Sequence, residues 1–193
     1  MPTFERPRAQ LYYEDSGGDG PVVCFSHGIL MDADMFASQV EVLRAEFRCI
    51  AWDERGHGRS VSDGSFTYWD LADDLLALLD HLDVERALFV GMSQGGYLSL
   101  RAALRAPERV AGLFLIDTQA GLEPEDLVPG YQMLADEWAT NGPQLSLAEA
   151  AAAIIVDPAP REPWIEKWLN ASAHFPVEPM RCLISREDVT DRL

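Results

Sequence analysis

The sequence predicts an α/β protein: a mostly parallel sheet with helices on both faces, followed by a helical insertion. Three observations carry this. Short, unbroken apolar runs recur at 22–25, 47–52, 87–90 and 110–116. Runs of that length fit strands buried on both faces, as in a parallel sheet. Helical periodicity fills the gaps between them, and after Asp117 the strand-like runs stop and proline-punctuated helical patterns take over.

The elements follow in chain order. Leu11-Tyr12-Tyr13 reads as an early strand closed by the turn-rich Ser16-Gly17-Gly18-Asp19-Gly20-Pro21. Leu71, Leu75, Leu78, Leu79 and Leu82 recur at three- and four-residue spacing, which places them on one helical face. Thr67-Tyr68-Trp69-Asp70 fits a capping box just before it. A second helix is expected from about Gln94 to Ala106, stopped by Pro107. Beyond 117, residues 121–129 read as loop and 131–138 as helix. Ser146-Leu147-Ala148-Glu149 reads as another capping box, opening an Ala-rich helix to about Val156. Trp164 to Asn170 reads as a further helix, and Ser185-Arg186-Glu187-Asp188 as the start of a last one. This divides the chain into 1–117 (core), 118–184 (helical segment) and 185–193 (a return to the core).

Bulk properties narrow the function classes. A chain of 193 residues with 48% apolar and 24% charged residues is an ordinary globular composition. A net charge of -17 disfavours nucleic acid and anionic membrane surfaces as partners. No stretch approaches the ~18 uninterrupted apolar residues of a membrane span. The first residues, Met1-Pro2-Thr3-Phe4-Glu5-Arg6, lack the pattern of a signal peptide. Cys24, Cys49 and Cys182 are an odd number without metal-like spacing. The simplest expectation is a cytoplasmic chain with reduced thiols.

Chemistry concentrates in three motifs. The first is Gly91-Met92-Ser93-Gln94-Gly95. Such a pentapeptide occurs by chance in roughly one chain in twenty of this length, so context decides. Here it follows an apolar run and opens a helix, the strand-turn-helix setting of a nucleophile elbow at Ser93. The helix N-terminus would place free N–H groups where an oxyanion forms. The plain alternative is a serine capping an ordinary helix. The second motif is Ser26-His27-Gly28-Ile29-Leu30. Acyl transfer needs two N–H donors on the developing oxyanion. Gln94 and Ile29 are the candidates, with Gly28 letting the chain turn. His27 reads as a residue that shapes this loop rather than a base. The third is Asp53-Glu54-Arg55-Gly56-His57-Gly58-Arg59-Ser60.

Together, in this order, the three motifs resemble the α/β-hydrolase family, and the resemblance runs over essentially the whole chain. It implies that the third motif is a structural loop near the site mouth, with Arg55 and His57 not catalytic. A metal at Asp53 and His57 is not expected, because further ligands are missing. The resemblance also implies a cap after Ile116 that covers the pocket. His27, Gly28, Met92 and Trp138 become pocket-lining candidates, along with Trp164, Trp168 and Phe175. The rival reading of the aromatic residues is the cap's own core. His174 reads as a surface or cap histidine. No metal or organic cofactor is implied.

In that family the nucleophile is followed by an acid and then a late histidine. No histidine follows residue 174. The expectation is that both final strands and the base lie beyond residue 193 or on another chain. Asp117, at the end of the strand before the cap, is the one acid in a plausible place. The reading is therefore a serine hydrolase of a small ester, lactone or related acyl substrate, working through an acyl-enzyme on Ser93. The alternatives are a haloperoxidase-type perhydrolase or a lyase on the same fold, or a catalytically silent binding chain. The strand at 110–116 should form an apolar sheet edge open to self-association or to a complementing segment.

Overall fold

The computed structural model describes residues 2–156, 161–171 and 175–193. Seven strands form one sheet: β1 (Thr3–Arg6), β2 (Ala9–Asp15), β3 (Val22–Ser26), β4 (Arg48–Trp52), β5 (Val61–Ser62), β6 (Ala87–Met92) and β7 (Val110–Ile116). Their order is β1-β2-β4-β3-β6-β7, with β5 paired to β2. The pairs β4-β3, β3-β6 and β6-β7 are parallel, whereas β1, β2 and β5 pair antiparallel. The mixed sheet therefore has a parallel centre, where the unbroken apolar runs lie.

Those runs are unbroken because both faces are covered. Cys24, Ile50, Trp52 and Phe89 point to one face, packed with α2 (Tyr68–His81) and α3 (Gln94–Arg105). Val23, Phe25, Cys49, Ala51 and Val90 point to the other and meet Phe36 and α1 (Ala37–Leu43). The Thr67 side chain accepts from the Asp70 N–H and the Asp70 carboxylate accepts from the Thr67 N–H, so the predicted capping box is formed. Leu71, Leu75, Leu78 and Leu79 are fully buried on its inner face.

The helices after β7 are α4 (Val128–Asn141), α5 (Leu145–Ile155), α6 (Arg161–Leu169) and α7 (Val177–Ile184). α4 packs on α7 and α5 on α6. Two expectations are corrected here. The second capping box does not form: α5 is capped at Gln144, two residues before Ser146, the Gln144 carbonyl accepts from the Leu147 and Ala148 N–H groups, and Ser146 lies inside the helix. No helix starts at Ser185; that residue closes α7, and a short 3-10 turn at Thr190–Arg192 follows. Among the described residues no helix is long and apolar enough to cross a membrane. The three cysteines are free and buried.

Among the described residues β7 is the last strand of the sheet, and Leu113, Phe114 and Leu115 are exposed along it.

Candidate active site

The sheet order brings the three motifs together. Ser26 pairs with Gly91 on one side and with Trp52 on the other, so β3, β4 and β6 end level with one another. Ser93, the 27–30 loop and the 53–60 loop leave from those carboxyl ends, where open α/β sheets bind ligands.

Ser93 joins β6 to α3 with φ 48 and ψ −112. This backbone is strained for a residue with a Cβ, at a cost on the order of 1–3 kcal/mol. The surroundings hold it. The Ser93 N–H donates to the Ile116 carbonyl (2.9 Å), and its carbonyl accepts from the Thr118 hydroxyl (2.8 Å) and the Gly96 N–H (2.9 Å). The flanking glycines are there for space. A Cβ on Gly91 would lie 2.3 Å from the Gly95 carbonyl oxygen, and one on Gly95 would lie 2.1 Å from that of Ser26. Ser93 itself is half-buried and its side chain caps nothing, unlike an ordinary helix N-cap serine.

The 27–30 loop is built on His27, which is completely buried. Its Nδ1 donates to the Gly28 carbonyl (2.8 Å) and its Nε2 accepts from the Glu54 N–H (3.0 Å). That fixes one neutral tautomer, and burial holds its pKa below the usual histidine value. The left-handed residue of the turn is Leu30 (φ 67), not Gly28. Gly28 instead makes room for Met92, whose sulfur would lie 2.7 Å from an added Cβ.

The 53–60 loop is structural. The Asp53 carboxylate accepts from the Ala33 N–H (2.8 Å), the Arg59 N–H (2.7 Å) and the Arg59 guanidinium (2.8 Å). Arg55 binds Asp74 of α2 through Nε (2.5 Å) and a terminal nitrogen (2.9 Å). His57 donates from Nδ1 to the Arg55 carbonyl (3.0 Å), and burial, reinforced by His27 beside it, holds its pKa well below the usual value. The Gln94 side-chain amide donates to the Glu54 carboxyl (2.6 Å) and faces His57 Nε2 at 3.4 Å. Glu54 is fully buried, and its second oxygen, Oε1, has no partner among the described residues. Burial first, and then the neighbouring Asp53 charge, push its pKa well above the usual carboxylate value.

No histidine nitrogen bonds the Ser93 hydroxyl among the described residues. His81 stacks on Phe4 (5.3 Å) and meets the Tyr13 hydroxyl (3.2 Å) at the end of α2. His174 lies outside the described residues. Tyr97, one turn along α3, donates to Glu123 (2.9 Å), which is also paired with Arg186 (2.6 Å); burial is the main reason its phenol is pushed up to about 12. Asp117 follows β7 with φ 43 and an exposed side chain that makes no hydrogen bond among the described residues.

A cleft of about 910 Å³ opens between the 53–60 loop and α6, lined by Trp164, Trp168 and Phe175 with Asp32, Arg59 and Lys167. Ser93 and Trp138 do not line it. Trp138 is fully buried edge-on to Phe175 (5.9 Å), within the packing of the helical segment. Sequence reasoning missed the Glu54–Gln94 pair and the Tyr97–Glu123–Arg186 group. In both, the partners are far apart in sequence, and no local pattern joins them.

Known proteins place this arrangement. A sequence model of the alpha/beta hydrolase fold matches residues 21–156. The chain is 31% identical over 124 residues to 3-oxoadipate enol-lactonase 1 of Acinetobacter baylyi, covering 64% of this chain and 46% of that protein. It is 30% identical over 138 residues to 3-oxoadipate enol-lactonase 2 of the same organism, covering 64% and 52%. It thus spans about half the length of these relatives. Among solved structures, a thermophilic esterase from Thermogutta terrifontis superposes with a TM-score of 0.82 at 30% identity, covering 96% of this chain and 71% of that one. The enol-lactonase from Burkholderia xenovorans LB400 does so with a TM-score of 0.85 at 26% identity, covering 97% and 75%. With the motif order, the strand-end geometry and the match over 21–156 in agreement, the chain belongs to the alpha/beta hydrolase fold family.

Proposed function

We propose that the chain is the nucleophile-bearing part of a serine hydrolase that acts on a small ester, lactone or related acyl substrate. Ser93 attacks the acyl carbonyl, and the N–H groups of Ile29 and Gln94 hold the oxyanion until the acyl-enzyme forms. The observation that carries this reading is the strained φ of Ser93 on a turn braced from three sides. Strain of this kind persists where the surroundings over-determine it, and it clusters at working sites. The lactonase and esterase relatives support the acyl class.

The general base is supplied from outside the described residues, because His27 and His57 are spent on the loops they build. Asp117 is the in-chain candidate for the orienting acid. The helices after β7 act as a cap over the strand ends. The chain works on a small molecule, not on nucleic acid or a membrane, and in the cytoplasm.

A fluorophosphonate probe tests this directly. Mass spectrometry should find the adduct on Ser93, and Ser93→Ala should abolish it. No adduct on the wild-type chain, with the segment or partner that supplies the base present, would favour a silent binding role. Ester turnover measured with and without peroxide separates a hydrolase from a perhydrolase.

A further inference from the structure

We propose that Glu54 is a positioning residue for the candidate oxyanion hole, holding its two N–H donors in register through one hydrogen-bonded chain. The inference rests on the hydrolase reading above. The chain runs from the 27–30 loop to the elbow. The Gly28 carbonyl accepts from His27 Nδ1 (2.8 Å), His27 Nε2 accepts from the Glu54 N–H (3.0 Å), and the Glu54 carboxyl accepts from the Gln94 side chain (2.6 Å). Every residue along it except the glycine contributes a side chain, and His27, Glu54 and Gln94 are each at most 1% exposed.

Peptide geometry turns this chain into aim. In a planar trans peptide the C=O and the following N–H point in opposite directions. Pinning the Gly28 carbonyl, which also accepts from the Met31 N–H (3.1 Å), therefore fixes the direction of the Ile29 N–H. At the other end, the Gln94 side chain is held at the first residue of α3, so its own backbone N–H is fixed beside Ser93. Glu54 is the link between two loops that share no sequence neighbour.

Charge completes the argument. An ionised carboxylate one hydrogen bond from Gln94 would oppose a developing oxyanion, whereas a neutral acid would not. Burial, then the charge of Asp53, favours the neutral form. The groups facing Glu54 are Asp53, committed to Arg59, His27 and His57 from the loops, Gln94 from α3, Tyr68 from α2 and Cys182 from α7. Burial pushes both histidines down and pushes Tyr68 and Cys182 up, which in each case favours the neutral form. The hole should work below the Glu54 midpoint and fail above it.

The test uses the whole chain in two arms. In the first, NMR follows the Ile29 and Gln94 amide signals and the Glu54 carboxyl carbon from about pH 5 to 10. The expected result is one shared midpoint above the ordinary carboxylate range, with the movement lost at both amides in Glu54→Gln. Amides that stay still while Glu54 titrates, or that move alike in Glu54→Gln, overturn the proposal. The wild-type titration decides this even if the variant does not fold. In the second arm, the rate of fluorophosphonate labelling at Ser93 should fall about tenfold above the midpoint in the wild type and lose that fall in Glu54→Gln. With the segment or partner that supplies the base present, coupled amides with no labelling at any pH overturn the hydrolase reading and the role assigned here with it. Labelling without coupled amides overturns the positioning role alone.

Discussion

The 53–60 loop and helix α6 face each other across the same cleft but are secured in different ways. The loop is tied down by buried charge: Asp74 is fully buried and takes both Arg55 and Arg6, and Asp53 is saturated by Ala33 and Arg59. α6 is held at its edge. Lys167, about a third exposed, reaches Asp32 (2.7 Å) and Asp34 (2.6 Å) and lies over the Trp164 ring (4.4 Å). The Trp168 indole donates to the Leu30 carbonyl (2.7 Å). The difference assigns roles. One wall of the cleft is tied to the core by buried charge, and the other combines one buried indole hydrogen bond with an ion pair that water can compete for.

Removing one charge from each wall tests that contrast. Asp74→Ala strands two guanidinium groups against the core, and breaking a buried pair costs about 3–5 kcal/mol. Lys167→Ala removes a partly solvated ion pair, which is worth about 1 kcal/mol or less. Chemical denaturation of both variants checks this. Similar losses from the two would erase the distinction between the walls.

The same substitution at two glycines should act with opposite sign. Gly95→Ala drives a methyl group into the Ser26 backbone, a collision that no rotamer relieves, and should destabilise by about 3 kcal/mol or more. Gly130, in the first turn of α4, has nothing within 4 Å of a new Cβ. There, alanine should stabilise by about 0.5–1 kcal/mol through helix propensity. Thermal melts of the pair decide it. A stabilising Gly95→Ala would mean that the elbow does not pack as described.

What the sequence disclosed follows from periodicity. β3, β4 and β6 are legible because both their faces are buried and their runs are unbroken. α2 is legible because its leucines form one stripe. α1 is not, because none of its residues is fully buried and so it leaves no stripe. β5 has only two residues, and β1 buries one of its four. α7 is masked by Pro179, which sits in its first turn, where a missing N–H is tolerated. Ser146 matched a capping pattern, yet Gln144, two residues earlier, already caps the helix. At the site, Ser93 announces itself through its glycines. The bond from Glu54 to Gln94 does not, because it exists only once β3 has been inserted between β4 and β6.

The last contrast lies within the sheet. β3 is covered by a parallel neighbour on each side, whereas among the described residues β7 has one partner, β6, and leaves Phe114 61% exposed. An apolar edge with free backbone groups is a template for another strand. Light scattering should therefore show the mass rising with concentration. Phe114→Lys should shift that rise to higher concentration without lowering the melting temperature by more than a few degrees, because an edge lysine hinders pairing while removing little buried surface. A wild-type chain that stays monomeric at high concentration would show instead that this edge does not template pairing.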